Sequence, residues 1–166
     1  MRKTAFPPIV DHNSRILLLG TMPSEESLRK QEYYGHKSNQ FWKIIFSLYN
    51  KPLSLNYRER VALLLEKGIA LWDVLQSCEG EGSADSNIRN EEANDFGHLF
   101  AEHPQIKHIF FTSRKAEEFY KKHVGFQKNI TYATLPSTST AYASMTFIQK
   151  LERWQSILHI LSAAKS

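Results

Sequence analysis

The chain has one cysteine, Cys78. A single thiol excludes an internal disulfide, a four-thiolate iron–sulfur cluster and a cysteine-rich zinc site. It also fits a reducing compartment, so a cytoplasmic location is expected. No apolar run approaches the roughly 20 residues needed to cross a bilayer, so no membrane partner is expected. The opening residues Met1-Arg2-Lys3-Thr4-Ala5-Phe6-Pro7-Pro8 have no apolar core, so no secretory leader is expected there. A Gly-x-Ser-x-Gly nucleophile elbow is missing, which disfavours a serine hydrolase. His103, His108, His123 and His159 show no ligand spacing with partner acids, so neither a metal nor a cofactor is expected.

What is present fits one domain over residues 1–166, with 42% hydrophobic residues and a net charge of +4. The charge is unevenly spread. Residues 1–60 carry +5, residues 61–105 carry −7 and residues 106–166 carry +6. Basic ends around an acidic middle permit one positive face, as a nucleic acid would require. A solvated surface with no partner would look the same.

Four short apolar stretches read as buried parallel strands: residues 15–19, 69–74, 107–112 and 130–135. Helical patterns fall near residues 39–49, 57–67, 114–123 and 146–163. Gly68 stops the second and Ser113 caps the third. In the last, Phe147, Ile148, Leu151, Trp154, Ile157, Leu158 and Leu161 recur at helical spacing as one apolar face. This alternation predicts an α/β fold, a three-layer α/β/α sandwich around a four-stranded, mostly parallel sheet. Residues 78–95 are polar and rich in Gly, Ser, Asp, Glu and Asn, and read as a long loop. Asp85 and Ser86 either approach a site or order that loop.

Ligands of open parallel sheets bind beyond the carboxyl ends of the strands. That rule gathers residues 20–40, 76–95 and 136–144, with Ser113 and Arg114 nearby. The densest of these stretches is Tyr33-Tyr34-Gly35-His36-Lys37-Ser38-Asn39-Gln40-Phe41-Trp42. Tyr33 and Tyr34 offer ring faces for stacking. The Asn39 amide either positions a water, bonds the edge of a heterocycle or caps a helix. His36 offers an imidazole, which suits a donor or acid. Phe41 and Trp42 read as core anchors. Gly20-Thr21-Met22-Pro23-Ser24 follows a strand as a tight turn and lacks the Gly-Lys-Ser/Thr ending of a phosphate loop. Leu135-Pro136-Ser137-Thr138-Ser139-Thr140-Ala141 leaves a strand through a hydroxyl-rich turn suited to phosphate contacts or to plain capping.

Together these stretches resemble the uracil-DNA glycosylase superfamily. The likeness is greatest to its hypoxanthine-DNA glycosylase branch, with mismatch-specific uracil glycosylases next. It is carried by Gly20 to Ser24, Gln31 to Trp42, Gly68-Ile69-Ala70-Leu71-Trp72-Asp73-Val74-Leu75, Gly82-Ser83-Ala84-Asp85-Ser86-Asn87-Ile88, Asn94-Asp95-Phe96 and Leu135 to Ser139. The resemblance implies a monomeric enzyme without cofactor that flips a deaminated base from double-stranded DNA, with single strands a further possibility, and cleaves the bond from base to sugar. It carries over Asn39 as the catalytic residue, Tyr34 as the ring under the base, and Pro136, Ser137, Thr138 and Ser139 as the loop that approaches the DNA strand. The chemistry of the residues themselves adds the loop N–H groups of Thr21 and Met22 and the His36 imidazole around the base, and the charges of Lys37, Arg114 and Lys115 as DNA phosphate contacts. Two positions depart from the uracil enzymes. Met22 stands where many have a water-activating Asp or Asn, and Leu135 stands where the strongest have a histidine. Both favour hypoxanthine as the substrate. Uracil or xanthine removal, or an inert DNA- or nucleotide-binding module on this fold, remain open at this point.

Overall fold

The computed structural model describes residues 1–164. Its centre is a four-stranded sheet in the order β3(Ile69–Asp73), β2(Ile16–Gly20), β6(His108–Phe111), β7(Thr131–Thr134), with every neighbouring pair parallel. The expected strands are therefore present, each within a residue or two of its predicted bounds. β2 and β3 are fully buried, which is why they read as continuous apolar runs.

Side chains alternate across the sheet. Ile16 and Leu18 face a core formed with α2(Phe41–Leu48), α3(Tyr57–Glu66), α6(Phe147–Trp154) and α7(Ser156–Ala164). Leu17 and Leu19 face a second core with α4(Phe96–Glu102) and α5(Arg114–His123). Helices on both faces give the expected α/β/α layers. Local chemistry sets their starts. Asn56, Asp95 and Ser113 accept backbone N–H bonds from Glu59, His98 and Ala116, and Thr146 forms a reciprocal capping box with Gln149.

Three sequence expectations change. Residues 78–95 are not one loop. A second, antiparallel sheet runs in the order β1(Arg2–Thr4), β4(Leu75–Glu79), β5(Arg89–Ala93), and a short 3₁₀ turn, Asp85–Asn87, lies between the last two. β5 is polar because it is a largely exposed edge, so it carries no apolar signal. The last helix is two helices. Ser156 donates its hydroxyl to the Arg153 carbonyl, and the chain tightens through a Leu158 N–H to Gln155 carbonyl bond. Its apolar face also differs from expectation: Ile148 is exposed, while Lys150 is buried.

One residue, Val74, separates β3 from β4. Val74 and Leu75 donate to the carbonyls of Gly20 and Thr21. The chain thus runs past the end of the parallel sheet and pins the turn after β2. A short helix, α1(Glu25–Lys30), follows that turn, capped by Ser24.

Candidate active site

The carboxyl ends of β2, β3 and β6 open into a cavity of about 560 Å³, within the range of small-molecule sites. Its wall includes Thr21, Met22, Tyr34, His36, Asn39, Ser137, Thr138 and Ser139. Eight of the residues expected at the site therefore meet in one cavity. Pro136, Lys37, Arg114 and Lys115 do not line it; the first three are next in the chain to residues that do, and the charge of Lys115 acts on Asp85 in the wall. Leu135 is buried in the helix-packed core on one face of the sheet, so its position offers no polar group to a ligand.

Asn39 lies before α2 rather than inside it. Its Oδ1 accepts the Phe41 backbone N–H at 2.9 Å and the Thr138 hydroxyl at 2.9 Å. A backbone N–H can only donate, so the amide orientation is fixed. Both acceptor sites of the oxygen are filled, and the Nδ2 donors remain. The cap position of α2 is Gln40, so Asn39 is not the expected N-cap; its oxygen instead holds the turn into the helix, and Asn39 also lines the cavity. The hydroxyl turn is tied to the same point, because Gln40 N–H donates to the Thr138 carbonyl at 3.0 Å.

Tyr33 is a core residue, with its ring buried and its hydroxyl donating to the Pro7 carbonyl. Tyr34 is half-buried and lines the cavity. It sits in the left-handed region at φ 53°, and its ring stacks on Phe41 at 4.0 Å. Thr112 donates to the Leu19 carbonyl and accepts the Tyr34 hydroxyl at 2.9 Å. Tyr34 is therefore locked at both its ring face and its tip. Phe41 and Trp42 anchor the core as expected. His36 is on the exposed rim, where its Nδ1 accepts the Ser38 backbone N–H, which leaves Nε2 as the donor of the neutral ring.

Two carboxylates complete the cavity. Asp73 ends β3 opposite Gly20 and is only 4% exposed. Its Oδ2 is buried without a hydrogen-bond partner. Burial, reinforced by the negative charge of Asp85, pushes its carboxyl up to about 7. Glycine at position 20 is required by close approach. A Cβ there would lie 2.7 Å from Asp73 Oδ1 and 3.0 Å from the Tyr34 hydroxyl. Asp85 comes from the 3₁₀ turn. Burial raises its pKa as well, opposed by the nearby Thr21 hydroxyl and by the charge of Lys115. Asp73 was the residue sequence reasoning missed, although an acid closing an otherwise apolar strand was a visible signal. Asp85 was left between two roles, and its place in the cavity wall decides for the site.

The arrangement gives a stacking face, a fixed amide donor, a buried unpaired acceptor and a second acid. That set suits a flat heterocycle with acceptor and donor groups on its edge.

Comparison with known proteins gives the same direction. The family profile of the uracil DNA glycosylase superfamily matches residues 7–159. A hypoxanthine DNA glycosylase of Methanosarcina acetivorans is 39% identical over 144 residues, covering 85% of this chain and 89% of that protein. A hypoxanthine DNA glycosylase of Methanosarcina barkeri is 40% identical over 120 residues, covering 72% of this chain and 76% of that one. The solution NMR structure of a Methanosarcina acetivorans protein described as a uracil DNA glycosylase superposes with a TM-score of 0.83 at 36% identity, covering 98% of this chain and 99% of that one.

Proposed function

Since the chain belongs to the uracil DNA glycosylase superfamily, we propose that it removes hypoxanthine from deoxyinosine in DNA by hydrolysing the bond between base and sugar. The observation that carries this reading is that one cavity is lined both by Asn39, whose filled oxygen leaves the Nδ2 donors, and by Asp73, a carboxylate acceptor. Hypoxanthine presents a carbonyl acceptor, O6, beside a donor, N1–H. The two patterns are complementary. Adenine presents the reverse, an amino donor beside a bare N1, and would face donor against donor and lone pair against carboxylate. A buried polar group left unpaired in this way is a strong means of rejection. Uracil and xanthine share the carbonyl and N–H pattern. The names of the relatives favour hypoxanthine among the three.

In this mechanism the base leaves the duplex at a cost of a few kcal/mol, less at a mismatched pair. It stacks on Tyr34, which cannot swing because Thr112 and Phe41 hold it. Cleavage of N9–C1′ leaves its electron pair on the purine and an oxocarbenium-like sugar. The Asn39 amide donates to O6, where negative charge accumulates, by the logic of an oxyanion hole. Asp85, on the cavity wall with Thr21, orients the water that adds to C1′ and receives its proton. It takes the role that Met22 cannot fill. Among the described residues no lysine lines the cavity, which supports simple base removal without strand cleavage. Lys37, Arg114 and Lys115 fringe the mouth and serve the phosphates.

The reading is tested by incubating duplexes with single inosine, xanthine or uracil sites and separating the released bases. Free hypoxanthine should appear, with strands that break only after alkali. Release of uracil alone, or of no base, contradicts the reading.

A further inference from the structure

Lys150 is a cation enclosed by the protein, with no anion beside it among the described residues. It lies on α6 and is 2% exposed. Its ammonium donates to the Ser139 carbonyl at 3.0 Å and to Gln40 Oε1 at 3.3 Å, and lies 5.5 Å from the Tyr142 ring centre. Among the described residues no carboxylate pairs with it, and burial pulls its pKa down. A buried charge held only by neutral dipoles is unfavourable unless something compensates it.

The position of the charge indicates what does. Lys150 lies directly behind the hydroxyl turn. In a planar trans peptide the C=O and the following N–H point in opposite directions. The Ser139 carbonyl points at Lys150, so the Thr140 N–H points away from it. Thr140 is exposed and lines the cavity, and its hydroxyl lies 3.5 Å from that of Ser38. One peptide unit therefore joins a buried cation on its inner side to an outward N–H beside two hydroxyls. Polarisation by the ammonium strengthens that N–H as a donor to an anion.

We propose that Thr140 N–H, Thr140 Oγ1 and Ser38 Oγ form a subsite for one phosphate of the DNA strand, and that Lys150 is its buried counter-charge. The subsite rests on the DNA glycosylase reading and deepens it. The free protein holds the cation uncompensated, and the docked phosphodiester supplies the missing negative charge. Lys150 acts through the Ser139–Thr140 peptide and is thus a positioning residue that never meets the reacting atoms.

The test uses the full chain and a duplex carrying a non-cleavable deoxyinosine analogue. Neutral methylphosphonates replace the phosphates flanking the lesion one at a time. In the wild type one position should weaken binding clearly. In Lys150→Met that same position should cost nothing, while other positions cost what they do in the wild type. The log–log salt slope of the variant should be shallower by about 1. A folded Lys150→Met that loses affinity for every methylphosphonate as the wild type does overturns the proposal. A second readout needs no variant. The Lys150 amine, followed by NMR in the wild type, should titrate at higher pH with the all-phosphate duplex bound, and an unchanged midpoint also overturns it. A wild type that binds no duplex defeats the glycosylase reading itself, an outcome distinct from either result.

Discussion

Asn39→Asp slows hypoxanthine release under single-turnover conditions by about 10²–10³-fold, the loss seen when one oxyanion donor is removed. This substitution isolates one half of the side chain. It keeps an oxygen where Phe41 N–H and the Thr138 hydroxyl already donate, so the start of α2 and the hydroxyl turn stay in place. What disappears is the Nδ2 donor. Asn39→Ala should lose as much activity and also release the turn, with a further fall in affinity for the duplex. If Asn39→Asp works at the wild-type rate, the amide nitrogen is not the group that stabilises the leaving base. The comparison is made by rapid quench on a labelled inosine duplex.

The second large effect falls on Asp73, and it runs in opposite directions for activity and stability. As an acceptor for N1–H, Asp73 must be ionised. Its carboxyl is raised from an ordinary value of 3.8 to about 7, so kcat/KM should climb as pH rises through about 7. Asp73→Asn should flatten that rise and lower activity at pH 8 by about 10²-fold, as for other buried polar recognition groups. The sign for folding follows from linkage. A carboxyl whose pKa is raised in the folded state favours the protonated form there. The stability linked to it is complete below about pH 4 and is lost as pH climbs through 7. Asp73→Asn should therefore stabilise the protein at pH 8 by about 1–4 kcal/mol and leave it nearly unchanged at pH 4. Calorimetry at the two pH values, set beside the activity profile, checks both halves. Loss of stability at pH 8 would mean that the carboxylate supports the fold instead of burdening it.

The acid at the end of β3 was visible in the sequence, but its burial was not. Ile69-Ala70-Leu71-Trp72 identifies a buried strand, and an acid at its end looks like the return to solvent. The parallel register instead sets it against Gly20, under a cover that leaves one oxygen unpaired. The four-stranded sheet was legible because its central strands are buried on both faces and carry unbroken apolar runs. β5 was not legible, since Arg89-Asn90-Glu91-Glu92 forms an edge whose pairing leaves no apolar pattern. Asn39 was legible as a candidate through its neighbours Tyr34 and Phe41-Trp42. Its orientation was not, because the Thr138 hydroxyl that helps fix it lies 99 residues away in the chain. Lys150 is not among the residues of the apolar face expected for the last helix; the hydroxyl turn packs against it and it is buried.

The central claim is that the cavity recognises a carbonyl beside an N–H on a flipped purine. Single-turnover release from duplexes carrying inosine, adenine or 1-methylinosine at one site tests it most directly. The methyl group removes the N1–H while leaving O6 in place. The wild type should release hypoxanthine and neither of the other two bases. Release of 1-methylhypoxanthine at the rate of hypoxanthine would contradict the account.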